Sequence, residues 1–199
     1  MKRTRVISTQ RPDAIQIALA ILKIDGTVVF PTDTVYGLGT NAFSVPAIDQ
    51  LFAIKEREPD RAIAVLIGSI DQLPEVTENP SQTAFELARK HWPGALTLVV
   101  PRHPKMPNNL SPRPTLGVRI PDHPFALALL QAAGPLAVTS ANLSGQPNTT
   151  TAEQVLVQLN QRVDLVLDGG ETRGGVPSTV VDMTGTEPVV LRQGPVIIH

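Results

Sequence analysis

Apolar residues recur along this chain in two rhythms. After Pro12, residues Ala14, Ile15, Ile17, Ala18, Leu19, Ile21 and Leu22 keep helical spacing and stop at Asp25-Gly26, which predicts a first helix with a C-cap at that pair. Thr27 to Phe30 is a short β-branched run halted by Pro31, the mark of a buried strand that delivers the next residues to a loop. The alternation continues with helices over 48–54, 82–91, 125–132 and 152–159. Strands are predicted over 63–67, 96–100, 116–120 and 136–139. Three closely spaced strands follow over 165–167, 179–181 and 189–191. An alternating body with a β-rich end predicts an α/β fold: a single domain over residues 1–199, with a mixed parallel/antiparallel sheet and flanking helices. Five prolines between Pro101 and Pro114 make that stretch a loop inside the domain, because both flanks read as core strands.

Composition narrows the chemistry. With 199 residues, 42% of them hydrophobic, the chain can bury a core without a disulfide or metal. It has no cysteine, which removes thiolate ligands and cysteine nucleophiles together. No apolar run approaches the roughly 20 residues that span a bilayer, and no signal-peptide core follows the basic start, so the cytosol is the expected address. The formal charge of −1 hides an uneven distribution, because the stretch from Arg89 to Arg119 carries six Lys or Arg and no acid. That stretch is either one cationic face or a solvated surface offset by acids folded beside it. His91, His103, His123 and His199 have no zinc-ligand spacing, and neither a nucleophile elbow nor a metal-binding acidic loop is present. The inventory suits a chemistry of positioning and charge neutralisation, such as nucleotidyl transfer, better than hydrolysis by a triad.

Three segments concentrate the polar groups. Pro31-Thr32-Asp33-Thr34 places hydroxyls and a carboxylate where a strand ends, and Gly37 and Gly39 would let backbone approach a ligand. A dinucleotide loop and a turn that merely needs glycine are the other readings of GLGTNA, although PTDTVY intervenes and Pro46 delays the helix. Lys55 and Arg57 close a predicted helix, with Arg61 just beyond; they are either a phosphate clamp or a solvated helix end. Thr139 to Gly145, TSANLSG, supplies three hydroxyls and an amide, as a ligand loop or an ordinary Ser/Asn turn. Ser178 at a Gly-rich strand entry and Arg192 at a strand end add weaker signals.

In order, PTDTVYGLG, Lys55-x-Arg57, HWPGALT, VRIP, TSANLSG, PSTVVD and LRQG resemble the YrdC family of threonylcarbamoyl-AMP synthases, from about Ile7 to Ile198. The resemblance implies a twisted mixed sheet whose concave, positive face binds ATP, and a nucleotidyltransferase that makes threonylcarbamoyl-AMP and pyrophosphate from L-threonine, bicarbonate and ATP with Mg²⁺. It further implies tRNA-modification partner proteins that use this product on tRNA adenosine-37, and a tendency to bind double-stranded RNA or tRNA. By motif, Lys55, Arg57, Ser140, Asn142, Asn148 and Arg192 would hold ATP, with Lys55 and Arg57 in the catalytic role. Thr32, Arg119, the backbone at Val138, and Ser178 would hold threonine, and no protein-bound metal is implied. Glu58, Arg61-Ala62 and Leu66 depart from the common family pattern. The competing reading is a YciO-like paralogue, weakly catalytic or non-catalytic, that binds double-stranded RNA or nucleotide.

Overall fold

A computed structural model describes residues 3–56, 58 and 61–198. Its first half runs β1 (Arg5–Ser8), α1 (Ala14–Leu22), β2 (Val28–Phe30), β3 (Gly37–Asn41), α2 (Val45–Lys55), β4 (Ala64–Leu66), α3 (Leu73–Val76) and α4 (Gln82–His91). The second half runs β5 (Leu96–Pro101), β6 (Thr115–Arg119), α5 (Pro124–Ala133), β7 (Leu136–Ser140), α6 (Ala152–Leu159), β8 (Leu165–Asp168), β9 (Thr179–Asp182) and β10 (Val189–Arg192). These strands form one mixed sheet in the order β1-β8-β2-β3-β7-β4-β6-β5-β9-β10. The fold is α/β, as the alternation predicts.

Two local features differ from the expectation. The GLGTN segment is a strand, β3, antiparallel to β2 on one side and β7 on the other. Glycine is depleted in strands, so the period-2 signal is muted there. Tertiary packing overrides that preference: a Cβ on Gly39 would stand 3.0 Å from a Phe30 ring carbon and 3.2 Å from Val138 Cγ2. No helix opens on these glycines, so they do not form a dinucleotide loop. Pro46 does not delay the next helix; α2 begins at Val45, Ser44 Oγ accepts from the Ala47 N–H at 3.4 Å, and proline occupies the first turn, where its missing N–H costs nothing.

Strand register sorts the side chains onto two faces. One set, including Val65, Leu98, Val118 and Ala137, packs into the core that also takes Ile48, Leu51, Ala84, Ala88, Val155 and Leu159 from α2, α4 and α6. On the opposite face, Val28, Phe30, Leu136, Leu165 and Leu167 pack under Ala14, Ala18 and Leu22 of α1 and Ala126, Leu129 and Leu130 of α5. The same face continues across β4, β6, β5 and β9, where pairing sets Leu66 beside Arg119, Gly117 beside Val99, and Thr97 beside Val180. Ala64, Gly117 and Thr97 are small there, so the sheet surface is recessed.

Tyr36, the chain's one tyrosine, ties the sheet to the segment after β8. Its buried hydroxyl donates to Gly170 O at 2.7 Å and accepts from Gly169 N at 3.2 Å. Burial pushes its pKa up to about 12, helped by the nearby Asp168 and Glu153 carboxylates. A folded pKa above the unfolded value favours the neutral form, so this contribution is whole below about pH 10 and is lost as pH rises through about 12. Tyrosinate absorbance of the native protein is therefore expected to rise with a midpoint near 12. A midpoint near 10, as in a free tyrosine, would contradict the buried hydroxyl bridge.

Candidate functional site

The recess on the half-covered face is a cleft of about 360 Å³. Its floor comes from the sheet, with Ala64, Leu66, Val99, Gly117 and Val138 supplying apolar or small surface. Its polar rim comes from Thr32, Thr34, Thr97, Arg119, Ser140, Asn148, Ser178 and Arg192, contributed by strand ends and the loops that follow them. An apolar floor with a few converging polar groups is the usual make-up of a small-molecule site.

The PTDT turn is held by its own hydroxyls. Thr32 Oγ1 donates to Val35 O at 2.7 Å and accepts from the N–H groups of Thr34 and Val35. Thr34 Oγ1 lies 3.0 Å from Thr32 Oγ1. Because the single Thr32 proton is committed to Val35, Thr34 is the donor in that pair. The turn is also pinned from outside, where Thr172 Oγ1 and Gly175 N donate to Thr34 O. Gly174 crosses so close that a Cβ there would stand 2.9 Å from Thr34 Cα. Thr32 lines the cleft, but its hydroxyl is spent on the turn.

Arg119, at the end of β6, reaches this turn from the neighbouring part of the sheet. Its Nε donates to Gly94 O at 2.9 Å, Nη1 to Thr34 Oγ1 at 3.1 Å, and Nη2 to Asp33 Oδ1 at 2.5 Å. The Arg119 and Asp33 side chains are only 8% and 15% exposed, so the ion pair is desolvated and must be well bonded to be tolerated. Arg192, at the end of β10, donates from Nε and Nη2 to Ser178 O and from Nη2 to Ser178 Oγ. Ser178 Oγ in turn lies 2.8 Å from Thr97 Oγ1. Burial, and after it the repulsion of Arg119, lowers the Arg192 pKa. Two guanidinium groups that repel each other across one cleft are relieved by an anion between them.

The TSANLSG loop is clamped to the end of α2. Lys55 Nζ donates to Ser140 O and to Asn142 O, each at 2.5 Å, and Ser144 N donates back to Lys55 O at 3.0 Å. Asn142 Nδ2 donates to Leu143 O and Gln146 O, while its Oδ1 is buried without a hydrogen-bond partner among the described residues. Lys55 is only 1% exposed and lies behind the loop, away from the cleft wall. Its cation is used by backbone carbonyls, which orient the loop that carries Ser140.

The structure therefore brings Thr32, Arg119, Val138, Ser140, Asn148, Ser178 and Arg192 to one cleft. Lys55 and Asn142 stand one layer back, and Arg57 lies outside the described residues. Asp33, Thr34, Thr97 and Gly117 belong to the site without having been singled out as ligands. The PTDT motif pointed to the first two; Thr97 and Gly117 depend on the β5–β6 register, for which a sequence has no local sign. Of the cationic run from Arg89 to Arg119, Arg119 faces the cleft, and Arg102 is turned onto its own loop, donating to Asn108 O, Asn108 Oδ1 and Ser111 O. The run is not uniformly a surface for a polyanion.

Comparisons with known proteins follow the same lines. A family model described as telomere recombination, Sua5/YciO/YrdC, matches residues 20–194. The chain is 44% identical over 197 residues to a threonylcarbamoyl-AMP synthase of Bacillus subtilis, covering 96% of this chain and 56% of that protein. The crystal structure of P. abyssi Sua5 complexed with L-threonine matches with a TM-score of 0.90 at 37% identity, over 98% of this chain and 57% of that one. E. coli YciO matches with a TM-score of 0.86 at 30% identity, over 98% of this chain and 97% of that one. The chain thus spans little more than half the length of the first two relatives. No helix among the described residues is long and apolar enough to cross a membrane.

The buried pair sets a stability test for the site. Arg119→Leu leaves the Asp33 carboxylate without its partner, and a loss of about 3–5 kcal/mol in urea unfolding is expected, as for other broken buried pairs. A loss under about 1 kcal/mol would place the pair in the weakly contributing surface class instead.

Proposed function

The chain belongs to the Sua5/YciO/YrdC family, and from that premise we propose that it is an L-threonylcarbamoyl-AMP synthase. The observation that carries the reading is the cleft itself, where two guanidinium groups, a cluster of hydroxyls and a small-residue floor share one sheet face. Its support from outside is the similarity to a B. subtilis enzyme of that name and to a Sua5 structure complexed with L-threonine.

In the proposed reaction the α-amine of threonine attacks the carbon of bicarbonate, and water leaves to give a carbamate. A carbamate oxygen then attacks the α-phosphorus of ATP, the bond to the β-phosphate oxygen breaks, and pyrophosphate departs. Charge accumulates on phosphate oxygens as this proceeds, so fixed cations are the protein's main means of acceleration. Arg119 uses three of the five N–H donors of a guanidinium on the protein, leaving two, the number a carboxylate takes in a bidentate pair. With Ser178 and the Val138 backbone it is assigned to the threonine carboxylate and its surroundings; Thr32 contributes by shaping the turn. Arg192, which holds Ser178 and faces Arg119, is assigned to the junction where carbamate meets α-phosphate. Ser140 and Asn148 on the cleft wall are assigned to the nucleotide, with Lys55 and Asn142 setting the loop and Arg57 carried over from the motif.

Mg²⁺ is assigned to the triphosphate it arrives with. Among the described residues no group of three or more His, Asp or Glu is placed to cage an ion, and Asp33 is engaged by Arg119, so the donor set fits a metal held chiefly by phosphates. The product is a mixed anhydride suited to acyl transfer, and its use on tRNA adenosine-37 by partner proteins in the cytoplasm completes the proposal. A contribution from double-stranded RNA or tRNA binding would show as affinity that falls with salt.

Pyrophosphate release that requires threonine, bicarbonate and Mg-ATP together is the expected result. Arg192→Ala should lower kcat/KM about 100-fold, the scale of losing a donor aimed at developing charge. Release that is indifferent to threonine, or equal in the wild type and this variant, would sink the reading.

A further inference from the structure

We propose that Asp33 and Thr34 are positioning residues for amino-acid recognition: together they clamp Arg119 in the orientation that receives the substrate carboxylate. The inference rests on the function proposed above and adds two residues to it. A guanidinium on a long side chain has several rotamers, and fixing one costs entropy that must be offset before a ligand arrives. Here the protein itself engages all three nitrogens: Nε is held by Gly94 O, Nη1 by Thr34 Oγ1 and Nη2 by Asp33 Oδ1. The two clamping side chains are neighbours on one turn, and that turn is itself immobilised by Thr32 Oγ1, Thr172 Oγ1 and the close crossing of Gly174.

Hydrogen-bond polarity gives the clamp a direction. Thr32 donates to Val35 O, so Thr34 must donate to Thr32, so the Thr34 oxygen is left as an acceptor toward Arg119. A rotated Arg119 would leave both this acceptor and the Asp33 carboxylate unpaired in a desolvated place. Asp33 has a second effect through charge. It supplies the negative charge bonded to Arg119, and without it Arg119 and Arg192 would repel each other unrelieved. Arg119 from β6 pairs with Asp33, and His123 from the β6–α5 loop feels the charges of Asp33, of its neighbour Asp122 and of Arg173 from the 169–178 segment. Burial, more than any of those charges, lowers the His123 pKa.

Asp33→Asn tests the clamp because it preserves shape while removing the charge. Titration calorimetry with L-threonine and, separately, with Mg-ATP is the measurement. Threonine affinity is expected to fall about tenfold or more, because a misdirected guanidinium loses its bidentate pair. Affinity for Mg-ATP should hold or rise, because the cleft gains net positive charge. Thr34→Val removes the second clamp bond and should weaken threonine about threefold to tenfold, which serves if Asp33→Asn does not fold. Unchanged threonine affinity in either folded variant overturns the proposal. Equal losses for threonine and Mg-ATP also overturn it, since they mark a general structural role. If the wild-type protein binds no threonine, the function proposed above fails, and the clamp's assigned role falls with it.

Discussion

Everything about the site depends on the strand register in the middle of the sheet. Pairing of β7, β4, β6, β5 and β9 puts Val138, Ala64, Gly117, Arg119, Thr97 and Val180 on one face. Since side chains alternate with period two, a slip of one residue would turn Val65, Leu98 and Val118 into this face and bury Arg119 in the core on the other. The register is held by that core, which loses its apolar complement if any of these strands shifts. Stability of the helix-covered face and existence of the cleft on the opposite face are thus one constraint seen from two sides.

Within this frame the polar motif residues mostly hold one another. Lys55 fastens the TSANLSG loop through two carbonyls, Asn142 closes the loop on itself, Thr32 closes the PTDT turn, and Arg192 holds Ser178. Side chains that sequence reading assigns to ligands therefore divide into those that line the cleft and those that stiffen its rim. This division suits a reaction that depends on orientation, because a pre-organised site does not lose its ordering cost at the moment of binding. It also gives the motifs a physical reason for containing more polar groups than a ligand could touch.

Electrostatics links the two halves of the cleft. Arg119 is neutralised in part by Asp33, whereas Arg192 is bonded to Ser178 by neutral acceptors and has its pKa lowered by burial and by Arg119. In the proposed reaction the less compensated cation is assigned to the developing negative charge, and the more compensated one to orienting the carboxylate. A cleft with low-dielectric walls magnifies this difference.

The sequence by itself determined most of the elements, because their signals are local. Strong apolar periodicity marks α1, α4, α5 and α6, and short apolar runs with Pro or Gly close to one end mark β2, β4, β5, β7 and β8. The polar segments were legible too, since PTDT, Lys55-x-Arg57, TSANLSG, Ser178 and Arg192 stand out as clusters unsuited to a core. What only the tertiary structure decided was anything set by a partner distant in the chain. GLGTN became a strand because β2 and β7 pair with it on both sides, and Phe30 and Val138 leave room only for glycine at positions 37 and 39. Lys55 became a support because carbonyls 85 and 87 residues away needed its donors. Asp33 became the partner of Arg119 because two strand ends 86 residues apart meet at one edge of the cleft. Local sequence carries propensity and chemical type, whereas the role of a charge depends on what neutralises it, and that is settled only when the sheet is assembled.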